Sequence, residues 1–146
     1  MGACCVSAKP DPLVSATYEN TVPFQPSFTR ARLVKCYDGD TIWVAAEQDG
    51  KVMRFNIRMM GYDSPELKGS SANEKQAAII ARNALEELLG NAPFRVEISP
   101  VREKYGRILA TCWVQRDGAE INVSNWMVEH GYGYPYFGGT KKAFDS

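Results

Sequence analysis

Residues Thr29 to Met60 read TRARLVKCYDGDTIWVAAEQDGKVMRFNIRMM. β-Branched and aromatic residues gather in three runs, Thr29 to Tyr37, Thr41 to Ala46 and Val52 to Met60, punctuated by Asp38-Gly39-Asp40 and by Asp49-Gly50. Asp-Gly pairs between such runs mark hairpin turns, so the stretch predicts a three-stranded antiparallel meander. Strands joined this tightly cannot belong to a βαβ sheet, whose parallel strands need a long crossover. The first turn has a second reading, because two carboxylates beside a glycine also suit a metal site. The stretch alone leaves both readings open.

Downstream, Asn73 can cap a helix with Gln76 reciprocating, and Ala77, Ile80, Ala81, Ala84, Leu85 and Leu88 recur at helical spacing until Gly90. Phe94 to Ile98 and Ile108 to Val114 then alternate as strands, with Phe94, Val96, Ile98, Ile108, Ala110, Cys112 and Val114 on the inner face. A turn at Asp117-Gly118 leads to a short helix, Val123 to His130, closed by Gly131. The pattern predicts an α+β, mainly β protein: a five-stranded oligonucleotide-binding (OB-fold) barrel with one main helix after strand 3 and a short helix after strand 5. Residues 1–27, rich in Ala, Ser and Pro, read as an arm; 28–131 form the folded domain; 132–146 form an aromatic and glycine-rich tail.

With 146 residues, 45% of them apolar, the chain is long enough for one globular core and too short for two. Its 17 basic and 17 acidic residues cancel, which argues against coating nucleic acid by bulk charge. Any such affinity must come from a local cluster. No run of eighteen apolar residues and no signal-peptide pattern is present, so the chain is expected to stay inside the cell. Cys4, Cys5, Cys36 and Cys112 make no C-x-x-C pair, and the last two read as free core thiols. The single histidine, His130, sits at a helix end and reads as a cap, which removes mechanisms built on two histidines or on His-ligated zinc.

The third strand runs into FNIRMMGYDSPE, Phe55 to Glu66. Alternation points Arg58 away from the barrel core, five residues before Asp63, and Asp63-Ser64-Pro65-Glu66 adds two more carboxylates on a proline-stiffened turn. If this turn lies beside Asp40, three acids meet next to an arginine. On the fifth strand Arg107 points outward, preceded by a turn that carries Lys104 and Tyr105. Acids without His or Cys describe an oxygen-ligand site for Ca²⁺, Mg²⁺ or Mn²⁺, and two guanidinium forks match phosphate oxygens.

YDGDT, an arginine five residues before DSPE, and KYGR, in this order and spacing, resemble the staphylococcal nuclease (thermonuclease) family over about residues 28–131. The resemblance implies an OB-fold, Ca²⁺-dependent phosphodiesterase that cuts DNA and RNA, single-stranded substrates included, to 3′-phosphorylated products. By motif position it implies one Ca²⁺ held by Asp40, Asp63 and the main-chain carbonyl of Ser64. Arg58 and Arg107 would bind the scissile phosphate, and Glu66 would orient or deprotonate the attacking water. Lys104 and Tyr105 would contact a terminal phosphate and a base. Tyr134, in the aromatic tail, stands between base stacking and packing. The alternative is a non-catalytic nucleic-acid or protein binding module of the same fold. At the start, Gly2 with Cys4 and Cys5 resembles a dual acylation signal, which implies membrane attachment, although Val6 stands where that pattern wants Ser or Thr.

Overall fold

The computed structural model describes residues 9–69 and 71–137. The expected meander is present as β1 (Arg30–Cys36), β2 (Thr41–Gln48) and β3 (Lys51–Met59), each pair antiparallel. Asp49 and Gly50 both have positive φ, 55° and 81°, as do Asp117 and Gly118, 51° and 79°. That is the backbone a tight hairpin turn requires to follow the strand twist. After β3 come β4 (Gly61–Asp63), α1 (Ala72–Leu89), β5 (Phe94–Ile98), β6 (Ile108–Arg116), β7 (Ala119–Asn122), α2 (Val123–Glu129) and β8 (Tyr134–Tyr136).

Strand order β3-β2-β1-β5-β6 closes on itself because β3 also pairs with β6, in parallel, from Ile57↔Ile108 to Met59↔Ala110. The result is the five-stranded barrel expected from the sequence, with β7 prolonging it at the edge of β6. Ile42, Val44, Ile57, Met59, Val96 and Cys112 fill the interior, each nearly inaccessible to solvent. Three short strands escape the sequence pattern, since three or four residues carry too little alternation to register. One of them matters for the site: β8 pairs with β4, Asp63 opposite Tyr134, which fastens part of the aromatic segment to the turn after β3.

The main helix begins earlier than its pattern suggests. Ser71 is the N-cap, its side chain accepting the N–H of Glu74, where the sequence reading placed the cap at Asn73. Ser71 with Glu74 forms the cap, and the face packed against the barrel is Ala78, Ala81, Leu85, Leu88 and Leu89. Ile80, expected inside, is 47% exposed. Cys36 and Cys112 are buried free thiols, both pushed up to about 12, Cys36 chiefly by burial and then by the charge of Glu86, and Cys112 by burial. His130 caps α2 as expected, its ring stacked on Trp126 at 4.0 Å. No helix among the described residues is long and apolar enough to cross a membrane.

Candidate functional site: a buried acid–arginine cluster beneath a cavity of mixed charge

Asp38-Gly39-Asp40 differs from the two plain Asp-Gly hairpins. Asp38 Oδ1 accepts the backbone N–H groups of Asp40 (3.0 Å) and Thr41 (2.8 Å), so a side chain closes this turn. Gly39 is needed for close approach: a Cβ there would stand 2.8 Å from Ala81 Cβ and 2.8 Å from both Cβ and Oγ of Ser64. The glycine thus lets the turn wedge between α1 and the Asp63-Ser64 turn. Gly39→Ala is expected to lower stability by about 1–3 kcal/mol through overpacking. Urea unfolding followed by tryptophan fluorescence measures it, and a variant as stable as the parent would show that the contact yields freely.

With the wedge in place, Asp40 meets the turn after β3. Asp40 Oδ2 accepts the N–H (2.9 Å) and the hydroxyl (3.0 Å) of Ser64, and Thr41 Oγ1 donates to Oδ1 at 3.1 Å. Arg58 Nη2 lies 3.0 Å from Asp63 Oδ1 and 3.6 Å from Asp40 Oδ2. Its Nη1 donates to the carbonyls of Met59 (2.8 Å) and Tyr62 (2.9 Å). Arg58 leaves the barrel interior as its alternation requires, yet β4 folds over it and it is only 9% exposed. Beneath this cluster the fully buried Tyr62 donates its hydroxyl to the Gly39 carbonyl, tying β4 to the acid turn.

Electrostatics separate the two neighbouring acids. Burial, then the charge of Asp40, pushes the Asp38 carboxyl up to about 7. Burial also pushes Asp40 up, but the Arg58 guanidinium and the Ser64 hydrogen bonds outweigh it, and the net displacement is downward.

Across the opening stands Arg107. Glu103 grips it through Nε (3.0 Å) and Nη2 (3.2 Å), while Nη1 donates to Thr41 Oγ1 at 3.0 Å. Thr41 therefore bridges Arg107 to Asp40. A guanidinium has five N–H donors, and three of Arg107's are used in this way, so two have no acceptor among the described residues. The Glu103 carboxylate raises the proton affinity of Arg107 further, keeping it cationic.

These groups surround a cavity of about 890 Å³ whose walls include Asp38, Asp40, Arg58, Asp63, Glu66, Lys104, Tyr105 and Arg107. Eight of the nine expected catalytic, metal and substrate residues are accounted for by this wall and by Ser64, which is hydrogen-bonded to Asp40 directly behind it. Tyr134 is the ninth: its hydroxyl donates to Asp63 Oδ2 (3.2 Å), while Tyr136 and Phe137 line the opening. Pairing of β8 with β4 sets that orientation.

The three expected acids do not converge as one cluster. Asp40 and Asp63 share Arg58, whereas Glu66, beyond Pro65, is exposed on the cavity wall. Among the described residues no group of three His, Cys, Asp or Glu side chains gathers to hold a metal by side chains alone. Gly2, Cys4 and Cys5 lie outside the described residues.

Sequence reasoning missed Thr41, Glu103 and Tyr62. Glu103, four residues before Arg107, offered a spacing signal, but in a loop that spacing guarantees no contact. Nothing in the sequence marks the Thr41 bridge.

A five-stranded OB-type barrel with buried carboxylates and an arginine beneath a cavity lined by acids and cations alike defines the class. The family model for staphylococcal nuclease homologues matches residues 56–145, more than half of the chain, and the chain belongs to that family. The matched stretch contains Arg58, Asp63, Ser64, Glu66, Lys104, Tyr105, Arg107 and Tyr134, while Asp40 lies before it. The chain is also 27% identical over 143 residues to an uncharacterised protein of Methanocaldococcus jannaschii, a match spanning 84% of this chain and 67% of that protein.

Proposed function

We propose that the protein is a Ca²⁺-dependent phosphodiesterase that hydrolyses DNA and RNA and leaves 3′-phosphorylated ends. One observation carries the reading: a buried Asp40–Arg58–Asp63 cluster forms the floor of the cavity that Glu66, Lys104, Tyr105 and Arg107 wall. The donor set fits a hard divalent cation. It is made of oxygen atoms, with the Asp40 and Asp63 carboxylates sharing a single guanidinium, Arg58, on the cavity floor. Asp40, Asp63 and the Ser64 carbonyl would hold the ion. When bound, it supplies Lewis-acid stabilisation of charge on the phosphoryl oxygens.

The chain's own groups do the rest. Arg107 directs its two remaining N–H donors at phosphate oxygens, where charge grows as phosphorus becomes five-coordinate. Thr41 and Glu103 fix the guanidinium so that little reorganisation accompanies the reaction. Arg58 holds the two aspartates at a set spacing and adds positive potential beneath the phosphate. Glu66, on the wall, orients the attacking water or takes its proton. Lys104 and Tyr105, exposed on the loop before β6, receive a terminal phosphate and a base.

The test is cleavage of single-stranded DNA and RNA in Ca²⁺, Mg²⁺, Mn²⁺ or excess chelator, with end groups read by mass spectrometry. Cutting in Ca²⁺, none in chelator, and 3′-phosphate ends are expected. Folded protein that binds these strands but cuts none with any ion would instead be a non-catalytic binding module.

A further inference from the structure

We propose that a single-stranded nucleic acid leaving the cavity runs across the outer face of β1, β2 and β3, with Trp43 as a base-stacking platform and Lys35 and Arg54 as phosphate contacts. The proposal rests on the nuclease reading for its occupant and on strand register for its geometry. Residues paired across neighbouring strands share a face. Outside the barrel this produces three successive rows. At the cavity edge Thr41 pairs with Arg58, and Tyr37 donates its N–H to the Thr41 carbonyl. Next, Trp43 stands between Lys35 and Asn56; beyond it, Ala45 stands between Arg32 and Arg54.

Rows two residues apart along a strand are separated by roughly 6.5 Å, about one extended nucleotide per row. Tyr37, Thr41 and Arg58 also line the cavity, so the face continues it without a break.

Charge favours the same occupant. The chain as a whole is neutral, yet these rows carry Arg32, Lys35 and Arg54 against a single acid, Glu47, at the far end where it pairs with Val52. The cluster required for nucleic-acid affinity is therefore local, and it adjoins the cavity. The exposed Arg54 guanidinium lies over the half-buried Trp43 ring, 5.6 Å from its centroid, so a base that stacks on this face displaces the cation and frees it for a phosphate. Ala45, small between two arginines, leaves a low floor. An indole platform serves unpaired bases, because a duplex keeps its base faces stacked. Single strands are thus preferred.

Binding is measured by fluorescence anisotropy with a long oligothymidylate in excess chelator, so that no cutting intervenes, and hydrolysis is measured separately on a thymidine dinucleotide in Ca²⁺. Trp43→Ala should weaken oligothymidylate binding about tenfold or more, and Trp43→Phe, which keeps a ring, should recover most of it. Lys35→Ala with Arg54→Ala should flatten the slope of log affinity against log salt by about 1.4, at about 0.7 for each lost contact on a single strand. Dinucleotide hydrolysis should be unchanged in every variant, which also reports an intact fold. Parental affinity and salt slope in all variants would overturn the track and leave the nuclease reading intact. Equal losses on both substrates with no rescue by phenylalanine would also overturn it. Absence of hydrolysis by the parent protein would sink the nuclease reading, while the binding data alone would still decide the track.

Discussion

Arg58→Ala is expected to cost about 3–5 kcal/mol of folding stability in addition to activity, the range found when one partner of a buried ion pair is removed. Arg58 is 9% exposed and Asp63 only 1%, so solvent cannot replace the guanidinium at its inner end. Truncation would strand two carboxylates close together and remove the donor shared by the Met59 and Tyr62 carbonyls. Water entering from the cavity, or protonation of one acid, would bring the loss toward the lower end. Arg58→Lys keeps the charge but lacks the fork that serves carbonyls and carboxylates together, so an intermediate loss is expected. Urea unfolding without divalent ions measures these costs, and a loss below about 1 kcal/mol for the alanine variant would show that the cluster does not depend on the guanidinium. Adding Ca²⁺ separates charge from packing. A cation bound between Asp40 and Asp63 should stabilise the alanine variant more than the parent, since it supplies the missing positive charge and ligand binding to the folded state adds to stability. The practical consequence is that loss of activity in this variant does not by itself make Arg58 catalytic.

The two arginines of the site were legible because they lie on, or directly before, strands whose alternation is strict, whereas Asp40, Asp63, Ser64, Glu66, Lys104 and Tyr105 were read from turn motifs and their spacing. Arg107 precedes an unbroken inner series, Ile108, Ala110, Cys112 and Val114, all buried, so its outward direction followed from counting. Arg58 obeyed the same count, yet its burial did not follow, because what covers it is the three-residue strand β4 held by β8 from far along the chain. Such short strands leave no period to read. The same long-range pairing fixes the partner of Tyr134: an aromatic residue in a glycine-rich segment gives no hint in sequence that its hydroxyl meets Asp63. The helix phase failed for a different reason. Two capping signals lie two residues apart, Ser71 with Glu74 and Asn73 with Gln76, and the contact of Ala81 with the Gly39 turn agrees with the earlier start. Local propensity was nearly silent there, and packing against the acid turn chose. The Asp-Gly pairs show the limit from the other side. All three look alike in sequence, but only the pair at Asp38-Gly39 is pressed against a helix and a second turn, so that Asp40 is placed for chemistry.

Glu66→Gln isolates chemistry from architecture. Glu66 is exposed on the cavity wall, and the amide keeps the size of the side chain and its capacity to hydrogen-bond, so stability should change by no more than about 0.5 kcal/mol. Ca²⁺ affinity, measured by calorimetry, should also stay near that of the parent. Hydrolysis should nevertheless fall by about 10²–10⁴, the usual contribution of a positioned proton acceptor. The split between intact ion binding and lost turnover is what distinguishes this residue from Asp40 and Asp63, whose replacement should weaken both. Glu66→Asp refines the role. It keeps the carboxylate but withdraws it by one methylene, so a rate nearer the glutamine variant than the parent would show that position matters as much as basicity. If glutamine instead costs less than about tenfold with ion binding unchanged, no proton acceptor acts from this wall. Charge stabilisation by Arg107, Arg58 and the bound ion would then have to carry the reaction alone.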